Sequence, residues 1–324
     1  MMNAIVVRAF GGPEVLSFEA VPERLPGPGE VLVANRAIGV NFIDTYLREG
    51  IYKSAPPPFV LGNEGAGEIE AVGEGVGDFA PGDRVVYTSN LGAYAERTVV
   101  PAKNVLKLPG AIGFEDAAGS LLKGLTAEYL LHRTFKVGPE HTILIQAAAG
   151  GVGLLLTQWA KHLGATVIGT AGSPEKVALV RANGADHVID YTRENFVERV
   201  REFTDGKGVD VVYDGVGKAT FPASLDTLRP LGLFVSYGNA SGVIEAFDIL
   251  LLSQKGSLYV TRPTLGVYTN HREILLEQGD NLFGAIESGI VNVAVNARYE
   301  LKDAADAHRA LEGRKTTGAT ILLP

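Results

Sequence analysis

The chain has 324 residues, of which 46% are hydrophobic and 20% charged, with a formal net charge of −8 and no cysteine. This is the composition of an ordinary globular protein longer than one core usually organises, so two domains are expected. The absent cysteines exclude disulfides, thiolate nucleophiles and Cys-ligated metal, and the acidic balance argues against nucleic acid as a main partner.

In chain order, the opening "MMNAIVVRAFGG" lacks the charged and apolar regions of a secretory signal. No segment reaches the ~18 uninterrupted apolar residues of a membrane span, so a cytoplasmic protein without membrane contact is expected. Short alternating runs follow, "EVLVANRAIGVN", "GEIEAVG", "DRVVYTS" and "AERTVVP", separated by Gly and Pro. Period two between turn signals predicts an antiparallel, barrel-like β domain over residues 1–123. At Glu115 the period changes, and "FEDAAGSLLKGLTAEYLLHRTF" predicts a helix. The strands "TILIQ", "ATVIGTA", "HVIDY", "VDVVYDGV", "LFVSYGN" and "SLYVTRP" then alternate with the helical segments "GGVGLLLTQWAKH", "SPEKVALVRANG", "ENFVERVREFT", "KATFPASLDTL" and "FDILLLSQ". Such alternation requires crossovers and a parallel sheet, here a doubly wound domain over residues 124–263. Residues 264–324, ending in "GATILLP", are too few to stand alone and are expected to complete the first domain. The fold class is therefore α/β, a β-barrel-type domain plus a doubly wound parallel sheet.

The string Ala148-Ala149-Gly150-Gly151-Val152-Gly153 sits where the first of these strands hands over to a helix. It follows the G-x-G-x-x-G pattern with Ala148 at the first glycine. Gly150 would let a pyrophosphate approach the backbone, and Gly153 would let helix and strand pack closely. NAD-specific folds place Asp or Glu at the end of the second strand, about 20 residues on. Here that strand ends Thr170-Ala171-Gly172-Ser173, Lys176 follows, and the next strand ends at Tyr191 with Arg193 beyond. A hydroxyl, an ammonium and a phenol suit a 2′-phosphate, so NADPH is the expected cofactor; Glu175 is expected to point into solvent.

Other motifs carry a family resemblance. "GNEGAGEIEAVGEGV", "GDRV" and "AAAGGVG" are similar to landmarks of the medium-chain dehydrogenase/reductase superfamily, which joins a GroES-like domain to a Rossmann domain. "GGPEVL", "GVNFIDTYLREGIY" and "LLKGLTAEYLL" resemble its zeta-crystallin-like NADPH:quinone oxidoreductases, over nearly the whole chain. Zinc alcohol dehydrogenases of this superfamily use a Cys and the His of a G-H-E motif. In this sequence Asn41 and Asn63 stand in those regions, and the six histidines have no ligand-like spacing, so no metal is expected. Without a Lewis acid the acceptor must already be electrophilic, as quinones and conjugated enones are.

The resemblance implies that Asn41, Tyr46 and Tyr52 line the acceptor cleft on the β-domain side. The same residues have structural readings: a strand-end cap for Asn41, a packed aromatic for Tyr46, a surface aromatic for Tyr52. It further implies Thr126 by the nicotinamide and Ala149 to Val152 at the pyrophosphate. Gly172, Ser173, Lys176 and Tyr191 would surround the ribose phosphate. Gly215, then Tyr237, Gly238, Asn239 and Ser241, then Tyr259, Val260 and Thr261 would lie at strand ends nearest the nicotinamide, with Arg314 reaching the cofactor. Asp44 and Arg48, four apart, read as a local pair without chemistry. Lys123 stays open between a site cation and a solvated charge. An enone or alkenal reductase with a proton-relaying tyrosine, and a non-catalytic NADPH-binding, crystallin-like protein, are the competing readings. A homodimer is expected, paired through the edge strand "SLYVTRP".

Overall fold

A computed structural model describes all 324 residues, which divide into two compact units. The first comprises Met1–Leu125, Thr269–Glu287 and Val293–Pro324, and the second Thr126–Tyr268 and Ser288–Asn292.

The first unit opens with strands β1 (Met2–Val7), β2 (Leu16–Val21), β3 (Glu30–Val40), β4 (Phe59–Val60), β5 (Glu64–Val72), β6 (Arg84–Thr88), β7 (Arg97–Pro101) and β8 (Val105–Lys107). Helix α1 (Phe42–Arg48) leaves the end of β3, and α2 (Phe114–Tyr129) follows β8. β3 is the organising strand, because it pairs antiparallel with both β5 and β7. Alternation along it buries Val31, Val33, Ile38 and Val40 in one core with Leu61, Ile69, Val85, Tyr87 and Tyr94. Each such side chain removed from water contributes roughly 1.5–3 kcal/mol. Register slips between Asn35 and Ala37, and the Asn35 amide fills that irregularity. It donates to Ala95 O at 2.8 Å and Thr98 Oγ1 at 3.0 Å, and accepts from Tyr87 Oη at 2.9 Å.

The second unit holds β9 (Thr142–Ile145), β10 (Thr166–Ala171), β11 (His187–Asp190), β12 (Val209–Asp214), β13 (Leu228–Ser236) and β14 (Tyr259–Thr261), all parallel. Their order, β11-β10-β9-β12-β13-β14, is that of two mononucleotide-binding halves meeting at β9 and β12. Helices α3 (Gly151–His162), α4 (Pro174–Ala182) and α5 (Phe196–Phe203) are the crossovers of the first half. In the second half α6 (Leu250–Gln254) is short, and α7 (Leu265–Tyr268) follows β14. The helix expected in "KATFPASLDTL" does not form; that stretch is a turn and a 3-10 segment over Ala223–Thr227. Pro222 lacks the N–H a helix interior needs and keeps Phe221 out of the helical region. The helix α2 also ends differently from its pattern, in a π turn over Leu130–Thr134.

The chain then returns through α8 (Arg272–Glu287), β15 (Val295–Glu300), α9 (Ala304–Glu312) and β16 (Ala319–Leu323). β16 pairs antiparallel with β3, while β15 lies parallel to β16. The first unit is thus not wholly antiparallel, and α9 supplies the crossover that parallel neighbours require. Between α8 and β15, Asn292 is held by Gln158 of α3: the side-chain amide donates to Asn292 O at 3.2 Å and accepts from Asn292 N at 2.7 Å.

Gly39 of β3 lies directly against α2. A Cβ there would collide with Glu64 Oε2 and with the backbone oxygen of Ala118 in α2. Overpacking against backbone has no cheap relaxation. Gly39→Ala is expected to lower stability by about 1–3 kcal/mol, measured by urea unfolding.

Candidate functional site

In the first unit, β3 ends at Val40 and α1 begins at Phe42, so Asn41 is the N-cap. The Asp44 carboxylate accepts its backbone N–H at 2.9 Å, which satisfies one orphan donor of the helix start. The Asn41 side-chain amide points elsewhere, donating to Glu64 Oε2 at 2.7 Å. Its neighbour in the G-N-E segment, Asn63, donates to Asp44 Oδ1 at 3.0 Å. Both asparagines are thus held as donors to two buried carboxylates. Glu64 accepts two further bonds, from Leu122 N at 2.6 Å and from Lys123 Nζ at 3.4 Å. Two donor amides and an ammonium do not fit zinc, which takes Cys, His or carboxylate ligands.

Tyr46, in α1, and Tyr52, beyond its end, stand together. Their rings meet edge to face with centroids 5.3 Å apart, and Phe42 stacks on Tyr46 at 6.3 Å. Tyr46 is buried, and Tyr52 is half-buried in the loop after α1, packed in part against the core of the first unit.

Asp44 and Arg48 do not pair with each other as their spacing suggested. They are the ends of a buried chain through Tyr94 and His308. Arg48 Nη1 donates to His308 Nδ1 at 2.9 Å, which forces the ring proton onto Nε2. That nitrogen lies 3.0 Å from Tyr94 Oη, so the tyrosine hydroxyl donates onward to Asp44 Oδ2 at 3.1 Å. Arg48 is fully buried and is also bound by Glu312, Glu49 and Gly11 O. Burial pushes the Asp44 carboxyl up to about 6, with the Glu64 charge adding, although bonds from Asn63, Asn41 and Tyr94 favour the anion. Burial, then the Arg48 charge, pushes His308 down to about 3. Sequence reasoning missed Glu64, Tyr94 and His308. The only signal was polar side chains at positions whose apolar neighbours read as core.

In the second unit the glycine corner forms as expected. Gly150 is the N-cap of α3 with extended backbone. A Cβ on Gly153 would lie 2.7 Å from Ala147 O, Ala148 Cα and Ala148 O, so only glycine lets this helix approach the turn. Ala149 is buried, while Gly151 and Val152 are half-buried on the first turn of α3. Thr170 Oγ1 braces the corner, accepting from Ala147 N at 3.1 Å and donating to Gln146 Oε1 at 2.7 Å. The cradle fits a pyrophosphate, with a free helix N-terminus and small side chains.

Gly172 and Ser173 follow β10, and the Tyr191 hydroxyl lies so close to Gly172 that a Cβ there would collide with it. Ser173 caps α4, accepting from Lys176 N at 3.3 Å, which brings the backbone of Lys176 to the same corner. Glu175 is exposed, as expected, and its carboxyl is held below the usual range by a bond from Ser173. One carboxylate was overlooked. Asp190 ends β11 beside Ala171, but it accepts from Thr192 N at 3.0 Å and Thr192 Oγ1 at 2.5 Å, with Arg193 at 3.8 Å. It serves its own turn, and those bonds hold its carboxyl below the usual range.

Farther along, Gly215 and Gly238 lie back to back, and Tyr237 covers Gly215 at 2.9 Å from a built Cβ. Asp214 Oδ1 accepts from Val216 N at 2.7 Å and Gly217 N at 2.9 Å, fixing the loop after β12. Ser241 is spent inside these loops, donating to Val216 O at 2.7 Å and accepting from Ala219 N at 2.9 Å. Asn239 and Thr126 are buried. Tyr259, Val260 and Thr261 form the edge strand β14, with the first two side chains exposed. Arg314 lies in the turn before β16 with a left-handed backbone, φ 56°.

Two members of the buried chain titrate in opposite senses. Asp44, raised, loses its stabilising proton as pH climbs through about 6, whereas His308, lowered, adds stability above its ordinary value that is lost as pH falls toward about 3. Between about pH 4 and 6 the slopes cancel. His308→Gln keeps an acceptor for Arg48 and a donor for Tyr94 but removes one slope. Relative to the parent, its stability is expected to fall as pH rises across that window by about 1.4 kcal/mol per pH unit, read from urea midpoints.

Two family models match this chain: the alcohol dehydrogenase GroES-like domain over residues 27–110 and the zinc-binding dehydrogenase domain over residues 151–271. A quinone oxidoreductase of Pseudomonas aeruginosa is 53% identical over 325 residues, covering all of both chains. A 2-haloacrylate reductase of a Burkholderia species is 46% identical, covering all of this chain and 99% of its own. The crystal structure of Escherichia coli quinone oxidoreductase complexed with NADPH superposes with a TM-score of 0.98 at 48% identity, covering 99% of this chain and 100% of that one. With full-length likeness at this level, both domain models matched and the glycine corner in place, the chain belongs to the quinone oxidoreductases of the medium-chain dehydrogenase/reductase superfamily.

Proposed function

We propose that this protein is an NADPH-dependent quinone reductase that works without zinc. The observation that carries this reading is the full-length likeness to quinone oxidoreductases, 53% for the Pseudomonas protein. NADPH supplies a hydride when bound. The chain's own residues hold the cofactor and orient the acceptor. Ala149, Gly150, Gly151, Val152 and Gly153 would bind the pyrophosphate, supported by the close packing that Gly153 alone permits. Gly172, Ser173, Lys176 and Tyr191 would take the 2′-phosphate, supported by their convergence at the ends of β10 and β11. Thr126, Gly215, Tyr237, Gly238, Asn239, Ser241, Tyr259, Val260, Thr261 and Arg314 complete the proposed cofactor set. Asn41, Tyr46 and Tyr52 would face the acceptor, and the ring contact that joins the two tyrosines supports this for them.

The 2-haloacrylate reductase likeness supports a second reading, reduction of an activated carbon–carbon double bond with Tyr46 or Tyr52 relaying the proton. NADPH oxidation followed in parallel with 1,4-benzoquinone and with a simple enone separates the two readings. Turnover of the quinone is expected, and quinone inertness beside rapid enone reduction would reverse the choice.

The expected setting is the cytoplasm; no helix is long and apolar enough to cross a membrane. We infer a homodimer paired through β14. Its ladder is filled on one side only, by β13, and Tyr259 and Val260 stand exposed near Phe247, Ile249 and Leu250 in sequence.

Two outcomes are expected. NADPH should be preferred over NADH by about tenfold in kcat/KM, or about 1.4 kcal/mol, and Lys176→Ala should narrow that ratio; equal kinetics with both cofactors would refute the 2′-phosphate assignment. Light scattering should give twice the chain mass, and Val260→Asp on the sheet edge should halve it.

A further inference from the structure

Lys123 is a charged side chain that the proposed chemistry leaves unused. It sits on α2 with its side chain only 7% exposed, which is rare for lysine unless it is paired. Its pairing is poor. The sole acceptor is Glu64 Oε2 at 3.4 Å, well beyond the 2.7–2.9 Å of a good charge-assisted bond. Glu64 itself is fully buried and already accepts two short bonds, 2.7 Å from the Asn41 amide and 2.6 Å from Leu122 N. The carboxylate is therefore well served without the ammonium, while the ammonium keeps two of its three donors unspent on the protein. A buried ion pair this loose returns little stability for the desolvation it costs.

The Asn41 amide and the Lys123 ammonium flank one and the same oxygen, Glu64 Oε2. Asn41 is the residue proposed above to face the acceptor, so the ammonium stands at the polar end of that same group. A positive charge in a desolvated site acts most strongly on an oxygen that becomes negative during reaction.

We propose that Lys123 is a catalytic residue whose ammonium binds the carbonyl oxygen of the quinone and holds the charge that hydride transfer leaves there. The inference rests on the quinone-reductase reading. Hydride from NADPH leaves NADP⁺ and the hydroquinone monoanion; a proton from solvent completes the hydroquinone, and Lys123 keeps its own proton throughout.

The test compares Lys123→Met with the double variant Lys123→Met/Glu64→Gln, which removes the buried pair as neutral groups of similar size. The parent enzyme is first assayed with NADPH and 1,4-benzoquinone, and failure there sinks the quinone-reductase reading itself. With an active parent, Lys123→Met is expected to lose on the order of a hundredfold in kcat, with the NADPH Kd unchanged by fluorescence titration. Binding of 4-nitrophenolate, a stable mimic of the oxyanion, should weaken at least about tenfold, while 4-nitroanisole binding stays the same. The double variant should remain as slow as the single one. A kcat within about twofold of the parent, or recovery of activity and phenolate binding in the double variant, would overturn the proposal by reducing Lys123 to a neutraliser of Glu64. Should Lys123→Met fail to fold, the double variant decides by itself, since slow turnover with weak phenolate binding supports the role and parental values refute it.

Discussion

A carboxylate with no exposed surface, Glu64, is the constraint around which the first unit is organised. Removing such a charge from water costs several kcal/mol unless every lone pair is met. The chain meets them from three directions: the cap residue of α1, an amide from the interior of α2, and a lysine one residue later. Interior helix amides ordinarily serve the carbonyl four residues back, so the carboxylate competes within the helix ladder itself. Gly39 is the concession made by β3, where any side chain would displace the oxygen that the others bind. Strand, cap and helix therefore have one relative placement that leaves no orphaned charge, and the asparagine proposed to face the acceptor inherits that rigidity.

Asp44 and Asp214, two of the other buried carboxylates, show two further ways of managing the same cost. Asp44 is reached by a relay whose polarity is set at the far end, because a guanidinium can only donate. Asp214 in the second unit is met by backbone amides of the loop it begins, and by the hydroxyls of Thr220 at 2.5 Å and Ser224 at 3.4 Å. Ser224 also accepts from the Gln146 amide at 3.0 Å, and Gln146 accepts from Thr170. A continuous polar thread thus runs beneath the ends of β10, β9 and β12, where open parallel sheets bind their ligands. Satisfied networks of this kind rigidify what they support.

Much of this was legible in the residues, for identifiable reasons. The alternation of β-branched runs with amphipathic helices left little choice but a parallel sheet, and the small residues of "AAAGGVG" marked its corner because only they permit close backbone approach. The stretch around Pro222 misled, since apolar spacing alone does not report a missing N–H. Asp190 escaped notice because a strand end was read without its neighbour in the sheet. The relay from Arg48 to Asp44 was illegible in principle: its members are spread from position 44 to position 308, and nothing local in "DAADAHRALEG" announces that one ring is bound at both nitrogens. Asn41 was visible as a candidate, whereas the carboxylate that aims its amide was seen only as a letter of a motif.

The clasp between Gln158 and Asn292 bears on how this molecule can be taken apart. The five residues Ser288–Asn292 belong with the second unit although the chain on either side of them belongs with the first. A contiguous fragment cut at Thr126 and Tyr268 would carry a buried glutamine stripped of its long-range partner. Grafts that exchange nucleotide-binding halves between relatives therefore have to bring this distant pentapeptide along, or replace the glutamine with a side chain that asks for nothing.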